Sequence, residues 1–316
     1  MDISVSLLET NMRFEGFLLV RSADQRTGSN GGKYLDMNLT DRTGEINCKM
    51  WDGTAVPPQS GTVIKVRGLV QEYNGRKQLR VEKMRPANDM DAFDLSRLVP
   101  CAPETPDVYR QEIEATIDRF ASEDLKKIVR EMLRLAGDDI EWFPAAQRLH
   151  HAERTGLLHH TTSMLRTAEH IIQAYPFLHG DLLRAGVILH DLSKITEMKS
   201  DTLGNVTDYT RDGLLVGHLV RGVAKLAEAA RNVGVTGEIV VLLEHMIISH
   251  HGIPEYGSPK PPMFPEAEVL NWIDTLDARM NEMEGIMARV PAGAFSEKIW
   301  SLDRRLYHPH YDEDAE

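Results

Sequence analysis

All 13 histidines of this 316-residue chain fall between His150 and His310. The positions able to do chemistry are His160, the pair His190-Asp191, His218, the pair His250-His251, and the carboxylate Asp274. Neutral imidazoles and carboxylates suit a divalent metal such as Mn, Fe, Ni, Co or Zn. A structural zinc cage would need thiolates, and only Cys48 and Cys101 are present, far apart. Five histidines and two aspartates exceed the needs of one ion and leave positions for water. A bridging carboxylate would set two cations ~3.5–4 Å apart, the spacing that ionises water and clamps both oxygens of a phosphoester displacement. Asp191, beside His190, is the expected bridge.

Neighbouring residues extend the set. Lys194, four residues beyond His190, is expected to place its ammonium on the scissile phosphate as a point charge. The plainer reading makes it a solvated helix-end lysine. His150 and His151 are candidates for contact with the substrate backbone or for donors behind the ligands. Arg221, one turn after His218, is a further phosphate candidate, and Asp277, one turn after Asp274, is the fallback ligand. His170, His179, His308 and His310 are expected to be incidental, and His245 to be structural. Burying His190-Asp191 at the end of an apolar run without partners would be costly, so packing alone does not explain that pair.

The elements that must hold these residues are helical. From residue 108 to 135 apolar residues recur at three- and four-residue spacing, and Gly137 supplies a stop. Further helical patterns cover 157–175, 181–195, 214–233, 236–251, 266–287 and 295–305, and strand patterns are nearly absent. The candidate ligands therefore come from five helices and can meet only in the core of an all-α bundle.

The N-terminal part reads differently. Segments 14–20, 33–39, 45–51, 62–70 and 77–84 are short strands, with Asp41-Arg42-Thr43-Gly44 and Asn74-Gly75 as turns. Five strands without room for helical crossovers suggest a small antiparallel barrel. Lys49 and Trp51, Lys65 and Arg67, and Gln78 and Arg80 occupy alternate positions on three strands, away from the core side. Cations interleaved with aromatic rings suit a single-stranded nucleic acid, phosphates on the charges and bases on the rings.

The domain organisation read from this is 1–86 barrel, 87–106 proline-containing linker, and 107–316 helical domain. Residues 1–85 carry 13 Lys and Arg against 10 Asp and Glu, although the whole chain is −12. The acidic balance thus belongs to the helical part and does not oppose a polyanionic substrate. With 42% apolar and 27% charged residues, disorder and a disulfide-stapled miniprotein are excluded. No apolar run approaches the ~18 residues of a membrane span, and no signal pattern opens the sequence. With two cysteines, a cytoplasmic location without membrane contact is expected. Homo-oligomerisation stays open.

Two resemblances sharpen these readings. Lys33-Tyr34-Leu35-Asp36, Leu39 through Ile46 and Trp51-Asp52 resemble an OB-fold of the anticodon-binding type over roughly residues 10–86, which adds Tyr34 to the implied nucleic-acid face. Ala185 through Lys194, with the ordered histidines around it, resembles the binuclear branch of the HD-domain metal phosphohydrolases. That resemblance implies seven ligands: His160, His190, Asp191, His218, His250, His251 and Asp274. The two domains in this order, with His150-His151, Leu157 to Thr161 and Ile273 to Met280, are similar to YhaM-type 3′→5′ exoribonucleases along nearly the whole chain. Ser193, where glycine is common, and His159 are small departures from that pattern. The family implies Mn-supported hydrolysis of single-stranded RNA, and often DNA, from the 3′ end. The rival readings are an HD phosphohydrolase for nucleotides or cyclic dinucleotides, and a nucleic-acid-binding protein with an inactive HD domain.

Overall fold

The alternating segments of the N-terminal part close into a five-stranded barrel, ordered β1-β2-β3-β5-β4. Its strands are β1 (Arg13–Thr27), β2 (Lys33–Asp41), β3 (Gly44–Met50), β4 (Val63–Tyr73) and β5 (Arg76–Pro86). The computed structural model describes residues 4–28, 31–88 and 90–310. Neighbouring strands run antiparallel except β3 and β5, which pair in parallel with Lys49 opposite Arg80. Leu18, Leu35, Met37, Leu39, Cys48, Ile64, Val66 and Leu79 fill the interior.

Both turns read from the sequence have a local cause. Asp41 Oδ1 accepts from the Thr43 amide at 2.7 Å, from the Thr43 hydroxyl at 2.6 Å and from the Gly44 amide at 3.1 Å, which folds β2 onto β3. Asn74 and Gly75 both take positive φ, 50° and 74°, as a two-residue hairpin between twisted strands requires.

The chain divides into two compact units, Met1–Cys101 and Ala102–Glu316. Much of the segment read as a linker packs on the barrel. The Phe93 ring stacks on Phe17 at 4.6 Å, Arg85 Nη1 pairs with Asp91 Oδ2 at 2.6 Å, and the Arg42 amide donates to Arg97 O at 2.8 Å.

The second unit comprises α1 (Pro106–Asp118), α2 (Glu123–Ala136), α3 (Gly156–Ala174), α4 (Gly180–Leu189), α5 (Lys194–Glu197), a hairpin of β6 (Met198–Ser200) and β7 (Val206–Tyr209), α6 (Arg211–Leu215), α7 (Gly217–Val233), α8 (Glu238–Ser249) and α9 (Pro265–Met287). At its centre lies α4, on which Leu182, Leu183, Ala185, Val187, Ile188 and Leu189 are all buried. A helix apolar around its circumference must be enclosed, and α2, α3, α8 and α9 enclose this one.

Three expectations from periodicity need correction. The continuous pattern from 108 to 135 is two helices, because Ser122 caps α2 by accepting from the Leu125 amide, while Asp181 Oδ2 takes the Ala121 amide at 2.6 Å. The helical part is not devoid of strands, since β6 and β7 pair after α5. Residues 295–305 do not form a helix. They fold back on themselves through pairs Phe295↔Tyr307 and Ile299↔Arg304. Asp303, at φ 50°, turns the chain where helical periodicity gave no warning.

The barrel offers a test of close packing. A Cβ on Gly68 would lie 2.3 Å from Arg80 O, at the register shift between β4 and β5. Gly68→Ala is expected to cost the barrel ~1–3 kcal/mol in urea-induced unfolding. An unchanged unfolding midpoint would contradict that packing.

Candidate metal centre and nucleic-acid face

The apolar run of α4 delivers His190 and Asp191 to the centre of the helical unit, because the helix ends where the run does. His160 comes from the first half of α3, His218 from the first turn of α7, His250 and His251 from the end of α8, and Asp274 from the middle of α9. His160, His190, Asp191 and His250 are at least 98% buried, and His218 is buried as well.

The carboxylate of Asp191 lies between two groups of imidazoles. Its Oδ2 is 3.3 Å from His190 Nε2 and 3.9 Å from His160 Nε2. Its Oδ1 is 3.5 Å from His218 Nε2 and 3.6 Å from His250 Nε2. Asp274 Oδ1 approaches His160 Nε2 at 3.2 Å. Ligand atoms of His160, His190 and Asp191 lie within 4.8 Å of one another, as do those of His190, His250 and Asp274, and those of His218, His250 and His251. All seven residues read as ligands thus converge.

Hydrogen bonds on the far side of each ring fix which nitrogen faces inward. Nδ1–H of His190 donates to Val187 O at 2.8 Å, that of His250 to Ile247 O at 2.8 Å, and that of His251 to Tyr256 O at 2.9 Å. His218 Nδ1 donates to Glu197 Oε2 at 2.9 Å, and His160 Nδ1 to Asp277 Oδ2 at 2.7 Å. In its neutral form each ring is left with a lone pair on Nε2. The Nε2 atoms of His160, His190, His218 and His250, with Asp191 Oδ1, are buried without a hydrogen-bond partner among the described residues. Inward lone pairs around a buried carboxylate are costly alone and are what a divalent cation satisfies, so the residues fit a metal.

Electrostatics follow the same geometry. Burial pushes the Asp191 carboxyl up, but Lys194 and His190 outweigh it and hold it well below the usual carboxylate range. Burial pushes the His160 imidazolium down, yet Asp274 and Asp277 beside it raise it to about 9. Burial, with His250 and His218 adding to it, lowers His251 to about 3.

Several expected residues take other parts. Lys194 Nζ lies 2.6 Å from Asp191 Oδ2 and donates to Ala145 O at 2.9 Å, so it is committed to the centre and is not a solvated helix-end lysine. Asp277 accepts from His160 and from His151 Nε2 at 2.8 Å, which turns it away from Asp191 and into support. His151 is therefore committed to Asp277, and its own amide is held by Asn281 Oδ1 at 2.8 Å. His150 keeps a buried Nε2 without a partner among the described residues, its ring 5.3 Å from that of His160. Arg221 pairs with Asp212. His179 caps α4, and His245 Nε2 accepts from the Met263 amide, as structural residues do.

Sequence reasoning missed Glu197, the partner of His218, and Glu153, whose Oε1 takes His159 Nδ1–H at 2.8 Å. Glu197 carried a weak signal, lying one turn beyond Lys194 in a polar stretch that follows the apolar run.

On the barrel, Tyr34 and Trp51 lie ring to ring at 4.6 Å, and Lys49 Nζ sits 5.1 Å from the Tyr34 ring and 5.6 Å from the Tyr73 ring. Trp51 is 58% exposed, and Arg80 joins in register with Lys49. Lys65 and Arg67 lie elsewhere along β4 and face acids, Glu15 at 3.7 Å and Glu82 at 3.7 Å. Gln78 is not on the open surface. It is buried and donates to Asn47 Oδ1 at 2.7 Å, so only Arg80 of that expected pair is available. Tyr73 was not anticipated.

Two family profiles match the chain, an OB-fold nucleic acid binding domain over residues 15–87 and an HD domain over residues 157–279. The 3′-5′ exoribonuclease YhaM of Listeria innocua is 38% identical over 308 residues, covering 96% of this chain and 97% of that protein. Its namesake from Halalkalibacterium halodurans is 38% identical over 306 residues, covering 95% of this chain and 94% of that one. The chain belongs to the YhaM family of 3′-5′ exoribonucleases. In this YhaM-family chain the HD segment contains every residue from His160 to Asp277, and the OB segment contains Tyr34, Lys49, Trp51, Tyr73 and Arg80. The HD domain accounts for divalent-metal binding. No helix among the described residues is long and apolar enough to cross a membrane.

The support behind His160 is directly testable. Asp277→Asn is expected to weaken Mn²⁺ binding ~10–100-fold in calorimetry, with the far-ultraviolet circular dichroism unchanged. Because a proton held on His160 competes with the metal, affinity in the unsubstituted chain should rise with pH and level off above about 9. Equal affinity in both proteins would remove Asp277 from the account.

Proposed function

We propose that this chain hydrolyses single-stranded RNA, and single-stranded DNA as well, from the 3′ end, using two divalent cations of which manganese is the preferred one. The observation that carries the reading is the division of the histidines between the two oxygens of Asp191. His160, His190 and Asp274 would hold one cation on the Oδ2 side, and His218, His250 and His251 the other on the Oδ1 side. Such a pair supplies a nucleophilic water at neutral pH and offsets charge on the phosphoryl oxygens.

The chain's own residues supply the rest. Lys194, with its ammonium fixed between Asp191 and Ala145, presents positive charge to a phosphate oxygen without moving. His150, half-buried beside His160 and with an Nε2 that has no partner among the described residues, is placed to contact the same phosphate. His151 contributes through Asp277 by orienting His160. Arg221, held by Asp212, would steer the strand as a positive charge near His218. On the barrel, Tyr34, Lys49, Trp51 and Arg80 hold bases and phosphates, while Lys65 and Arg67, each beside a glutamate, stay outside that cluster. The two cysteines, Cys48 and Cys101, and this substrate support a cytoplasmic location.

With Mn²⁺ and a 5′-labelled single strand, the purified chain should give a ladder that shortens progressively, and a 3′-labelled strand should release labelled mononucleotide at once. Asp191→Ala should abolish hydrolysis and leave oligonucleotide binding intact; surviving activity would show that the centre lies elsewhere. Trp51→Ala combined with Arg80→Ala should raise KM for long strands about tenfold and leave dinucleotides unaffected. Equal losses on both substrates would exclude the barrel face as the strand-holding surface.

A further inference from the structure

A pocket of about 460 Å³ opens in the helical unit beside the metal ligands. That volume falls within the ~300–1,000 Å³ of sites that hold a small ligand. His218, His251 and Lys194 line it from the metal centre, and Arg148, Tyr209 and Trp300 line it from outside that centre. Trp300 is 78% exposed and has no aromatic neighbour among the described residues. Arg148 is exposed and makes no ion pair among them.

The position of Trp300 is built rather than incidental. It lies at the tip of the fold-back between Phe295 and Tyr307, where the Ile299 amide donates to Arg304 O at 2.9 Å. The next residue, Ser301, donates to Glu282 and ties the tip to α9. An indole held open to solvent on the wall of a pocket that also contains metal ligands has one direct use. It offers a flat face to a base, and because every base has a π face, the contact tolerates any sequence.

We propose that this pocket seats the terminal nucleotide of the strand, its base stacked on Trp300 and its phosphate near Lys194 and Arg148. The inference rests on the exoribonuclease reading and adds its terminal-nucleotide site. The ligand class is a nucleoside 5′-monophosphate unit, as the end of a chain before cleavage and as the free product afterwards. A site for one residue beyond the cut makes the mononucleotide the unit of release.

The test uses the full chain with Mn²⁺ and has two arms. Calorimetry reads the affinity for adenosine 5′-monophosphate, and steady-state kinetics reads release of the last residue from RNAs ending in a normal or an abasic nucleotide. Trp300→Ala should weaken adenosine monophosphate binding about tenfold and raise KM for the normal end about tenfold, with kcat and the abasic end unchanged. Trp300→Phe should restore most of both. Unchanged nucleotide affinity, or equal impairment on normal and abasic ends, would overturn the proposal. If the unsubstituted chain released no 3′ nucleotide, the exoribonuclease reading would fail, while the calorimetric arm would still decide the pocket.

Discussion

One buried carboxylate organises the helical unit. Asp191 is taken out of water at the end of an apolar helix, and leaving an ionised carboxylate there uncompensated costs several kcal/mol. Lys194 offsets part of that cost, and histidines surround both carboxylate oxygens. Lys194, His160 and His190 lie near Oδ2, and His218 and His250 near Oδ1. Imidazole rings whose outer nitrogens are already committed to carbonyls or carboxylates turn only lone pairs inward, so the arrangement becomes favourable when cations enter. The same geometry that makes the metal-free centre costly would therefore make a metal-bound one tight and directed.

The supports explain how helices distant in sequence reach this precision. His190 and His250 use carbonyls of their own helices, three residues back, so their orientation is local. His160 and His218 use carboxylates from elsewhere, Asp277 on α9 and Glu197 on α5, so their orientation reports that the bundle has assembled. His151 and the Glu153–His159 pair extend the first of these supports toward α1, where Tyr109 lies ring to ring with His159 at 5.7 Å. Nucleic-acid binding belongs to the separate OB-fold barrel, whose exposed rings and cations need no buried charge.

Much of this was legible in the sequence because its signals are local. Alternation and the Asp41 and Asn74-Gly75 turns announce the barrel, and the apolar run ending in His190-Asp191 announces a buried polar pair. The ordered spacing of the remaining histidines carries the resemblance that implied the ligand set. What was hidden depends on contacts between distant segments. No periodicity tells that Asp277 serves His160 while Asp274, one turn earlier, faces the centre. Nor does alternation reveal that Gln78 is covered by Asn47, or that residues 295–305 turn back and carry Trp300 to a pocket wall. The break between α1 and α2 was hidden for the same reason, since Asp181 caps it from another helix.

The central claim is that Asp191 is shared by two cations. Titrating the metal-free chain with Mn²⁺ and recording its electron paramagnetic resonance measures both their number and their separation. The account predicts two Mn²⁺ per chain, with the exchange-coupled multiline signal of ions ~3.5–4 Å apart. One Mn²⁺ per chain, with an uncoupled six-line spectrum at saturation, would contradict it.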